Sequence, residues 1–460
     1  MNVAFIAPYA LIISSIFVLS TLALEVDTEL HDGTSYPLVG LGLGNQREDF
    51  IKGIFEHVNG SYPILIDTAH QSKNEAQIAQ AIVDKFPSTS NKEEKKSSGM
   101  FGMLSGFFGG AKDDSMDSGE KVKVFVITKV WYTHLGYERT KLSVEESLRD
   151  LKSAIDLDTV DLHVTVLLHW PRCNPEIEWM RCDEEEEKLP DYVKAVGESP
   201  LKNPNAWKDS WKALEDLYST DNALSAIGVS NFVGEDLDQL LDGARVIPHM
   251  YQGSLWQRFH DTPLFKKLTA HGVKFSVYGT FTTMQAMSSY PNAHMRLTNV
   301  ADWYGMKERG KPFTIPEIIL ATLVQDGFII TPRSRDKVHM SQNSYKSIQE
   351  MGSIDEVDRE TVDECMKAIL DESDVHLGVL TSFENMTKDP IKLFWLSPDD
   401  NELDAQEDAE PAGYGETIEI TSFPHHRFVV RHAETGDFID SFQVLAKHGE
   451  RTHFIVGSEL

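Results

Sequence analysis

The sequence predicts an α/β protein, a (β/α)8 TIM barrel followed by a small all-β C-terminal domain. Three observations lead to this fold class. From residue 38 onward, short apolar runs alternate with segments of helical periodicity, which is typical of repeated βα units and a parallel sheet. Eight such runs occur, as many as a closed barrel requires. Beyond about residue 380, alternating runs separated by turn residues indicate a small antiparallel sheet.

Each predicted strand is an apolar run bounded by turn residues, and a helical segment or a long loop follows it. The strands are LVGLGL, PILID, KVFVITKV, VDLHVTVLLHW, SAIGVSN, VIPHMYQG, VKFSVYG and FIITPRS. The helices cover 74–86, 143–156, 207–220, 233–242, 262–271 and 314–326. The predicted domains are a barrel over 36–350 with a surface insertion at 87–121, a helical linker at 351–379 and a β-sandwich-like module at 380–460.

The N-terminal segment predicts entry into the secretory pathway. Residues 3–24 form an uncharged apolar run that ends near small residues such as Ala23, as a signal peptide does. Without cleavage the run is long enough to anchor the chain in a membrane, which is the alternative. We therefore expect a protein of the ER lumen, a secreted protein, or one anchored by residues 3–24.

A lumenal location changes how the cysteines are interpreted, because thiols can pair in an oxidising compartment. Cys173 and Cys182 are close enough in sequence to close a small loop, and Cys365 is then unpaired and buried; three free thiols are the alternative. Two glycosylation sequons, at Asn59 and Asn385, are compatible with the lumenal location.

The charge of the chain excludes nucleic acid as a partner. The formal net charge is −29, and no stripe of Lys and Arg concentrates positive potential. The acidic runs 183–187 and 399–410 predict solvated loops and only weakly favour cation binding. The sequence predicts no metal site.

Polar residues stand at or just past the ends of consecutive predicted strands: Asp67, Lys129, His169 and Asn231. In a barrel these ends converge on one mouth, so the four side chains are expected to surround one pocket. An Asp beside a Lys holds the ammonium charged, and that charge lowers the pKa of a neighbouring hydroxyl. His169 can hydrogen-bond a substrate oxygen.

At this point the chain resembles the aldo-keto reductase family, over roughly residues 36–350. The matching segments include IDTAHQSKNE, VITKVW, LLHWP, AIGVSNF and TPRS. The resemblance implies hydride transfer from NADP(H) to an aldehyde or ketone, with a Tyr that protonates the carbonyl, a Lys that lowers the pKa of the Tyr, an Asp that pairs with the Lys and a His that orients the carbonyl. By motif these are Asp67, Lys129 and His169.

The catalytic tyrosine is missing, because Ser72 stands at its position in DTAHQSKNE. Serine is a far weaker acid than a phenol and its side chain is shorter, so ordinary turnover is expected to be impaired. Three alternatives would preserve it: His169 donates the proton, Lys73 or Tyr132 takes the place of the phenol, or a water molecule does.

The resemblance also implies a cofactor site. Ser230, Asn231 and Gln252 would hydrogen-bond the nicotinamide amide, and Tyr278 would stack on its ring. The remaining implied residues, on the adenosine side, are Arg333, Ser334, His339, Gln342 and Asn343. Arg333 stands where the family has a phosphate-binding lysine and can still hold a 2′-phosphate, which favours NADP(H). His339 replaces an arginine and weakens this preference because imidazole is mostly neutral above a pKa of about 6.5.

The tail more weakly resembles the β domain of the von Hippel–Lindau protein, in LFWLSPDDNE and IEITSFPHHRFVVRHAETGDFI. The resemblance implies a peptide pocket formed by Trp395, Ser422, His426 and Phe428. The alternative is a small sandwich packed on the barrel with Trp395 in its core. Two functions stay open: a reductase of small carbonyl substrates, and a pseudoenzyme that binds NADP(H) and acts as a sensor or scaffold through its tail.

Overall fold

The computed structural model describes residues 23–56, 58–87, 121–220, 224–375, 378–397, 400–406, 410–447 and 449–457. Residues 1–22 of the predicted signal segment and residues 88–120 of the predicted insertion lie outside these ranges. Within the ranges, none of the helices combines the length and the apolarity that crossing a bilayer requires.

Eight parallel strands form the barrel, and each pairs with its neighbour in sequence order. They are β3 (Gly40–Gly42), β4 (Ile64–Asp67), β5 (Val122–Val130), β6 (Val160–Leu168), β7 (Leu224–Ser230), β8 (Met250–Ser254), β9 (Lys274–Tyr278) and β10 (Ile329–Ile330). A parallel bridge between Val39 and Ile330 joins the last strand to the first. A Cβ on Gly42 would lie 2.8 Å from the Thr331 carbonyl oxygen, so a glycine is needed where the chain closes the ring. The predicted TIM barrel is confirmed.

A hairpin that the sequence analysis did not predict covers the end of the barrel where the strands begin. Its strands are β1 (Asp27–Glu29) and β2 (Ser35–Pro37). Tyr36 is fully buried, packs against Phe125 near the start of β5, and shares a hydrogen bond of 3.0 Å with Thr165 Oγ1. Strands of three residues are too short to show an alternating pattern.

The helices of the described residues pack around the barrel strands or lie next to them. They are α1 (Glu48–Phe55), α2 (Glu75–Lys85), α3 (Tyr137–Lys152), α4 (Cys182–Glu187), α5 (Asp191–Val196), α6 (Ala206–Thr220), α7 (Gly234–Gly243), α8 (Leu255–His260), α9 (Thr262–Ala270), α10 (Thr282–Ala286), α11 (Pro291–Arg309), α12 (Ile315–Gln325), α13 (Lys337–Gln342), α14 (Tyr345–Gln349) and α15 (Glu356–Leu370). Five of the predicted helices agree to within about a residue at each end. The sixth, α3, begins at residue 137 and not 143, because its first turn is held by buried polar side chains such as Arg139 and lacks the apolar pattern.

The acidic run at 183–187 is not a solvated loop, so that prediction is wrong. It forms α4, and two of its carboxylates face inward. Both nitrogens of the Arg139 guanidinium end donate to Glu186 at 3.0 Å, and Trp131 Nε1 donates to Glu185 Oε2 at 2.7 Å. Arg139 is buried, and its ion pair with Glu186 offsets the desolvation cost of burying the guanidinium charge.

The cysteines pair as predicted: Cys173 and Cys182 form a disulfide, with Cα atoms 5.9 Å apart, and Cys365 is free and buried.

The two predicted glycosylation sequons differ in the exposure of their asparagines. Asn59 is exposed, whereas Asn385 is fully buried and donates hydrogen bonds to the carbonyl oxygens of Asp389 and Ala412. A buried amide with two backbone partners cannot carry a glycan in the folded protein, so only Asn59 remains a glycosylation candidate.

The C-terminal part forms two small sheets around their own apolar core. One contains β11 (Val379–Asn385), β14 (Thr417–Ser422) and β17 (Arg451–Val456), and the other contains β12 (Ile391–Leu396), β13 (Glu402–Asp404), β15 (Arg427–His432) and β16 (Phe438–Gln443). The all-β prediction is confirmed, but the first sheet is mixed, because β17 pairs with β11 in parallel. The last strand, β17, therefore pairs with β11 at the edge of the first sheet, although the strands that precede it, β15 and β16, belong to the second sheet.

Candidate active site

The barrel mouth is formed by the ends of its strands, and the predicted catalytic residues lie there. Asp67 is the last residue of β4, Lys129 lies one residue before the end of β5, and His169 directly follows β6. Because all the strands are parallel, these side chains belong to the same end of the barrel. The structure thus brings the three residues together at one mouth.

Lys129 and Asp67 form a close ion pair. Lys129 Nζ donates to Asp67 Oδ1 at 2.6 Å and to the carbonyl oxygen of Thr68 at 2.8 Å, and the lysine is only 5% exposed. Gln252 Nε2 donates to the same Asp67 oxygen at 3.1 Å and to Ser276 Oγ at 3.3 Å. The carboxylate therefore pairs with the ammonium and fixes its position.

A second group of hydrogen bonds connects the predicted nicotinamide-binding residues. The Tyr278 hydroxyl donates to Asn231 Oδ1 at 2.9 Å, and Asn231 Nδ2 donates at 3.0 Å both to Ser230 Oγ and to the carbonyl oxygen of His169. Asn231 adopts a left-handed backbone conformation, which asparagine tolerates better than most residues. Tyr278 remains 38% exposed and presents its ring at the mouth.

His169 is held neutral. Burial and the nearby charge of Lys129 keep the pKa of its imidazolium well below the usual value. Its Nδ1 is enclosed and has no hydrogen-bond partner among the described residues, and its ring meets Trp131 edge-on at 4.9 Å. A neutral imidazole can orient a carbonyl oxygen by a hydrogen bond, but it carries no acidic proton to transfer.

Ser72 ends a short 3-10 turn, His70–Ser72, and is partly buried. A Cβ on Gly44 would lie 3.6 Å from Ser72 Oγ and 3.4 Å from Arg333 Nη2, so both side chains flank Gly44.

The two side chains proposed to replace the phenol, Tyr132 and Lys73, differ in exposure. Tyr132 is fully buried, and its pKa is raised by burial and by Glu185, whereas Lys73 is exposed. The structure therefore argues against Tyr132 as a proton donor.

An aromatic wall that the sequence analysis missed stands beside His169. Trp131 stacks with Trp179 at 6.2 Å, and Trp170 meets Trp179 edge-on at 5.8 Å. Trp179 is exposed and belongs to the loop that the Cys173–Cys182 disulfide closes. Trp131 follows β5, whereas Trp170 and Trp179 follow β6, so no local sequence pattern brings the three indoles together.

The residues predicted for the adenosine side follow β10. Arg333 is exposed, and Ser334 Oγ accepts from the backbone N–H of Asp336, which caps helix α13. His339 is exposed on that helix, Gln342 is partly buried and Asn343 is buried. A neighbouring cavity of about 480 Å³ is lined by the basic residues Arg47, Arg335 and Lys337, and also by Asp49, which forms an ion pair of 2.7 Å with Arg47.

The four residues of the predicted peptide pocket also lie together. The rings of Trp395 and His426 are 5.1 Å apart, Ser422 Oγ lies 3.2 Å from His426 Nδ1, and Phe428 approaches His426 at 6.3 Å. Ser422 and Phe428 are buried, and Trp395 and His426 line a cavity shared with helices α11 and α15 of the barrel part. Binding of a peptide there stays a prediction.

Comparison with known proteins gives one consistent family. The aldo/keto reductase family model matches residues 106–359, more than half of the chain. Morphine 6-dehydrogenase of Pseudomonas putida is 25% identical over 343 residues, which cover 72% of this chain and 90% of that protein. Glyoxal reductase of Bacillus subtilis is 24% identical over 327 residues, covering 70% and 87%.

A solved structure shows the same fold. The apo crystal structure of Gox0644 aligns with a TM-score of 0.50 at 19% identity and covers 75% of this chain and 94% of that one. Together with the barrel, the family match and the residues at its mouth lead to one conclusion: the chain belongs to the aldo/keto reductase family.

Proposed function

We propose that the protein is an NADP(H)-dependent carbonyl reductase in which proton delivery differs from that of its relatives. The observation that carries this proposal is the Asp67–Lys129 pair, which is enclosed at the barrel mouth although the tyrosine it would serve is absent. Burying an ammonium costs desolvation free energy, which only a countercharge and hydrogen bonds to its N–H groups offset. A buried Lys–Asp pair at the mouth is therefore better explained by a function than by stability.

The chain is suited to a phosphorylated dinucleotide. Tyr278 offers an exposed ring beside the amide of Asn231, where a nicotinamide could stack and hydrogen-bond. Arg333 reaches Gly44 from the other side of the mouth, and Arg47, Arg335 and Lys337 surround the adjacent cavity. Guanidinium groups bind phosphate through two parallel hydrogen bonds, which favours NADP(H) over NAD(H).

When bound, the dinucleotide supplies a hydride, and the side chains of the protein have the remaining tasks. Neutral His169 orients the carbonyl oxygen of the substrate. The Lys129 ammonium, fixed by Asp67, lowers the pKa of a hydroxyl group or a water molecule near it. Since His169 lacks an acidic proton and Tyr132 is buried, water in the space beside Ser72 is the proton source that we favour.

The substrate class follows from the aromatic wall. Trp170 and Trp179 offer flat apolar surfaces, and Trp131, only 5% exposed, lies between Trp179 and His169, which favours carbonyl compounds with a planar, apolar body. The names of the two bacterial relatives, a glyoxal reductase and a morphine dehydrogenase, concern carbonyl reduction and alcohol oxidation, opposite directions of one hydride transfer.

A second candidate function is a pseudoenzyme that binds NADP(H) as a sensor or scaffold. The substitution at Ser72 favours it, because a short hydroxyl is a poor replacement for a phenol. In this case a partner protein would distinguish the NADP(H)-bound form from the free form. It would contact the C-terminal sheets, where Trp395 and His426 are only partly buried.

The two candidates are separated by one experiment on the purified chain. NADPH binding is measured by quenching of its fluorescence, and NADPH oxidation is followed with aromatic aldehydes, dicarbonyls and quinones. For the reductase we expect binding with slow turnover that Lys129→Met abolishes while binding persists. Binding without turnover supports the pseudoenzyme, and absence of binding contradicts both.

We also propose that the protein functions in the secretory pathway. Support comes from the apolar segment 3–24, the Cys173–Cys182 disulfide and the exposed sequon at Asn59. Disulfides persist in oxidising compartments, so the paired loop beside the mouth is suited to a lumenal or extracellular protein.

A further inference from the structure

Three potential metal ligands meet where the C-terminal sheets contact the barrel part. Asp355 and Asp358 lie at the start of helix α15, and His425 lies in the turn between β14 and β15. One atom from each residue lies within 4.8 Å of the other two. Asp358 and His425 also line a cavity of about 240 Å³ together with Arg296, Trp303 and Trp395, among others.

The spacing of these atoms matches a shared cation. His425 Nε2 lies 3.0 Å from Asp358 Oδ1 and 3.5 Å from Asp355 Oδ2. Ligands around a tetrahedral zinc ion bind at roughly 2.0 to 2.2 Å, which places neighbouring ligand atoms about 3.3 to 3.6 Å apart. The separation of 3.5 Å lies within this range, and that of 3.0 Å is shorter than its lower limit by about 0.3 Å.

One carboxylate oxygen of the buried Asp358 is left without a hydrogen bond. Asp358 is 2% exposed and its Oδ2 has no hydrogen-bond partner among the described residues. His425 is 8% exposed, and its Nε2 lies 3.0 Å from Asp358 Oδ1, the other oxygen of that carboxylate. A buried carboxylate oxygen without a hydrogen-bond partner is costly, and coordination to a cation would compensate it.

Helix capping and an ordinary ion pair explain only part of the arrangement. Asp355 caps α15 through Oδ1, which accepts the backbone N–H of Asp358, but Oδ2 is not used in the cap. An ion pair between His425 and Asp358 would account for their approach, yet it would leave Asp358 Oδ2 unsatisfied. A cation held by all three residues accounts for both carboxylates and for the orientation of the imidazole.

We propose that Asp355, Asp358 and His425 bind one divalent transition-metal ion, with Zn²⁺ as the best fit, which clamps the C-terminal sheets to the barrel. One imidazole and two carboxylates suit zinc, and three protein ligands leave a coordination position open. The sequence predicts no metal site because about 70 residues separate His425 from the two aspartates, so the three ligands form no spacing motif.

The test uses the full chain after treatment with a chelator and dialysis. ZnCl2 is titrated by isothermal calorimetry, and bound metal is counted by mass spectrometry after gel filtration. We expect one Zn²⁺ per chain, and Asp358→Asn or His425→Asn should weaken its binding at least about 100-fold, since losing even an outer partner of a ligand costs roughly 10- to 100-fold. Glu356→Gln, which alters an exposed side chain of the same helix outside the trio, should bind zinc as wild type does.

Folding and the location of the ion are checked separately. NADPH binding by each variant reports whether the barrel is intact, and a zinc-dependent rise in Tm should occur in wild type and disappear in His425→Asn. Zinc that binds equally well to the Asp358 and His425 variants belongs elsewhere and overturns the proposal. So does a wild-type chain that binds no zinc while it still binds NADPH, whereas a failure of NADPH binding alone concerns only the proposed function.

Discussion

Lys129 Nζ lies 2.6 Å from Asp67 Oδ1, and the two side chains depend on each other because both are largely withdrawn from water. Removing the carboxylate by Asp67→Asn leaves a buried ammonium without a countercharge, which should destabilise the fold by about 3–5 kcal/mol. Urea unfolding measures the loss. In the double variant with Lys129→Met most of the stability should return, whereas additive losses would show that the pair is not coupled.

Ser72→Tyr should restore the missing acid. The new phenol would lie beside the Lys129 ammonium, which lowers its pKa, and general acid catalysis contributes roughly 10²- to 10⁴-fold in rate. We therefore expect kcat for NADPH-dependent aldehyde reduction to rise at least about 100-fold. Ser72→Phe, which fills the same space without a hydroxyl, is the control. An equal gain with Phe would attribute the effect to packing and not to proton transfer.

Arg333→Met should weaken NADPH binding by about 10- to 100-fold, the equivalent of a lost hydrogen bond to a charged group. The effect on NADH should be smaller, because NADH lacks the 2′-phosphate. Fluorescence titration with both dinucleotides gives the two ratios, and Lys266→Met, at an exposed lysine of helix α9, controls for net charge. Equal losses for the two dinucleotides would contradict recognition of the 2′-phosphate by Arg333.

The stability of the protein should fall as the pH drops below about 6.5. Burial lowers the pKa of His134 to about 3, so the unfolded chain takes up a proton in this range and the folded chain does not. From pH 7 to pH 5 this histidine alone should remove about 2 kcal/mol. Urea unfolding at both pH values should show His134→Asn losing less stability than wild type by that amount. The exposed His271→Asn should behave as wild type, and equal losses in all three would refute the assignment.

A secreted form of the protein should carry a glycan at Asn59 and none at Asn385. Expression in a eukaryotic secretory host, followed by peptide mass spectrometry, measures occupancy at each sequon. Ser61→Ala should abolish the glycan, because it destroys the Asn59 sequon alone. A folded, secreted chain with a glycan on Asn385 would contradict the burial of that amide.

The barrel could be predicted from the sequence because its strands are fully buried apolar runs, which stand out against polar connections. The site at its mouth could be predicted because strand ends are recognisable and converge. Features that depend on pairing between distant segments were missed. Arg139 and Glu186 are 47 positions apart and form an ion pair inside the protein. Since the sequence does not show this pairing, each residue is predicted to be exposed to solvent. The same reason hid the Trp131–Trp179 contact and the ligand cluster around His425.

A disulfide closes the loop that carries Trp179, so the shape of the entrance depends on the thiol chemistry of its surroundings. Material produced in a reducing bacterial cytoplasm would lack this cross-link, and the indole of Trp179 would leave Trp131 more readily. Screens for ligands on such material would sample a different opening from that of the oxidised protein.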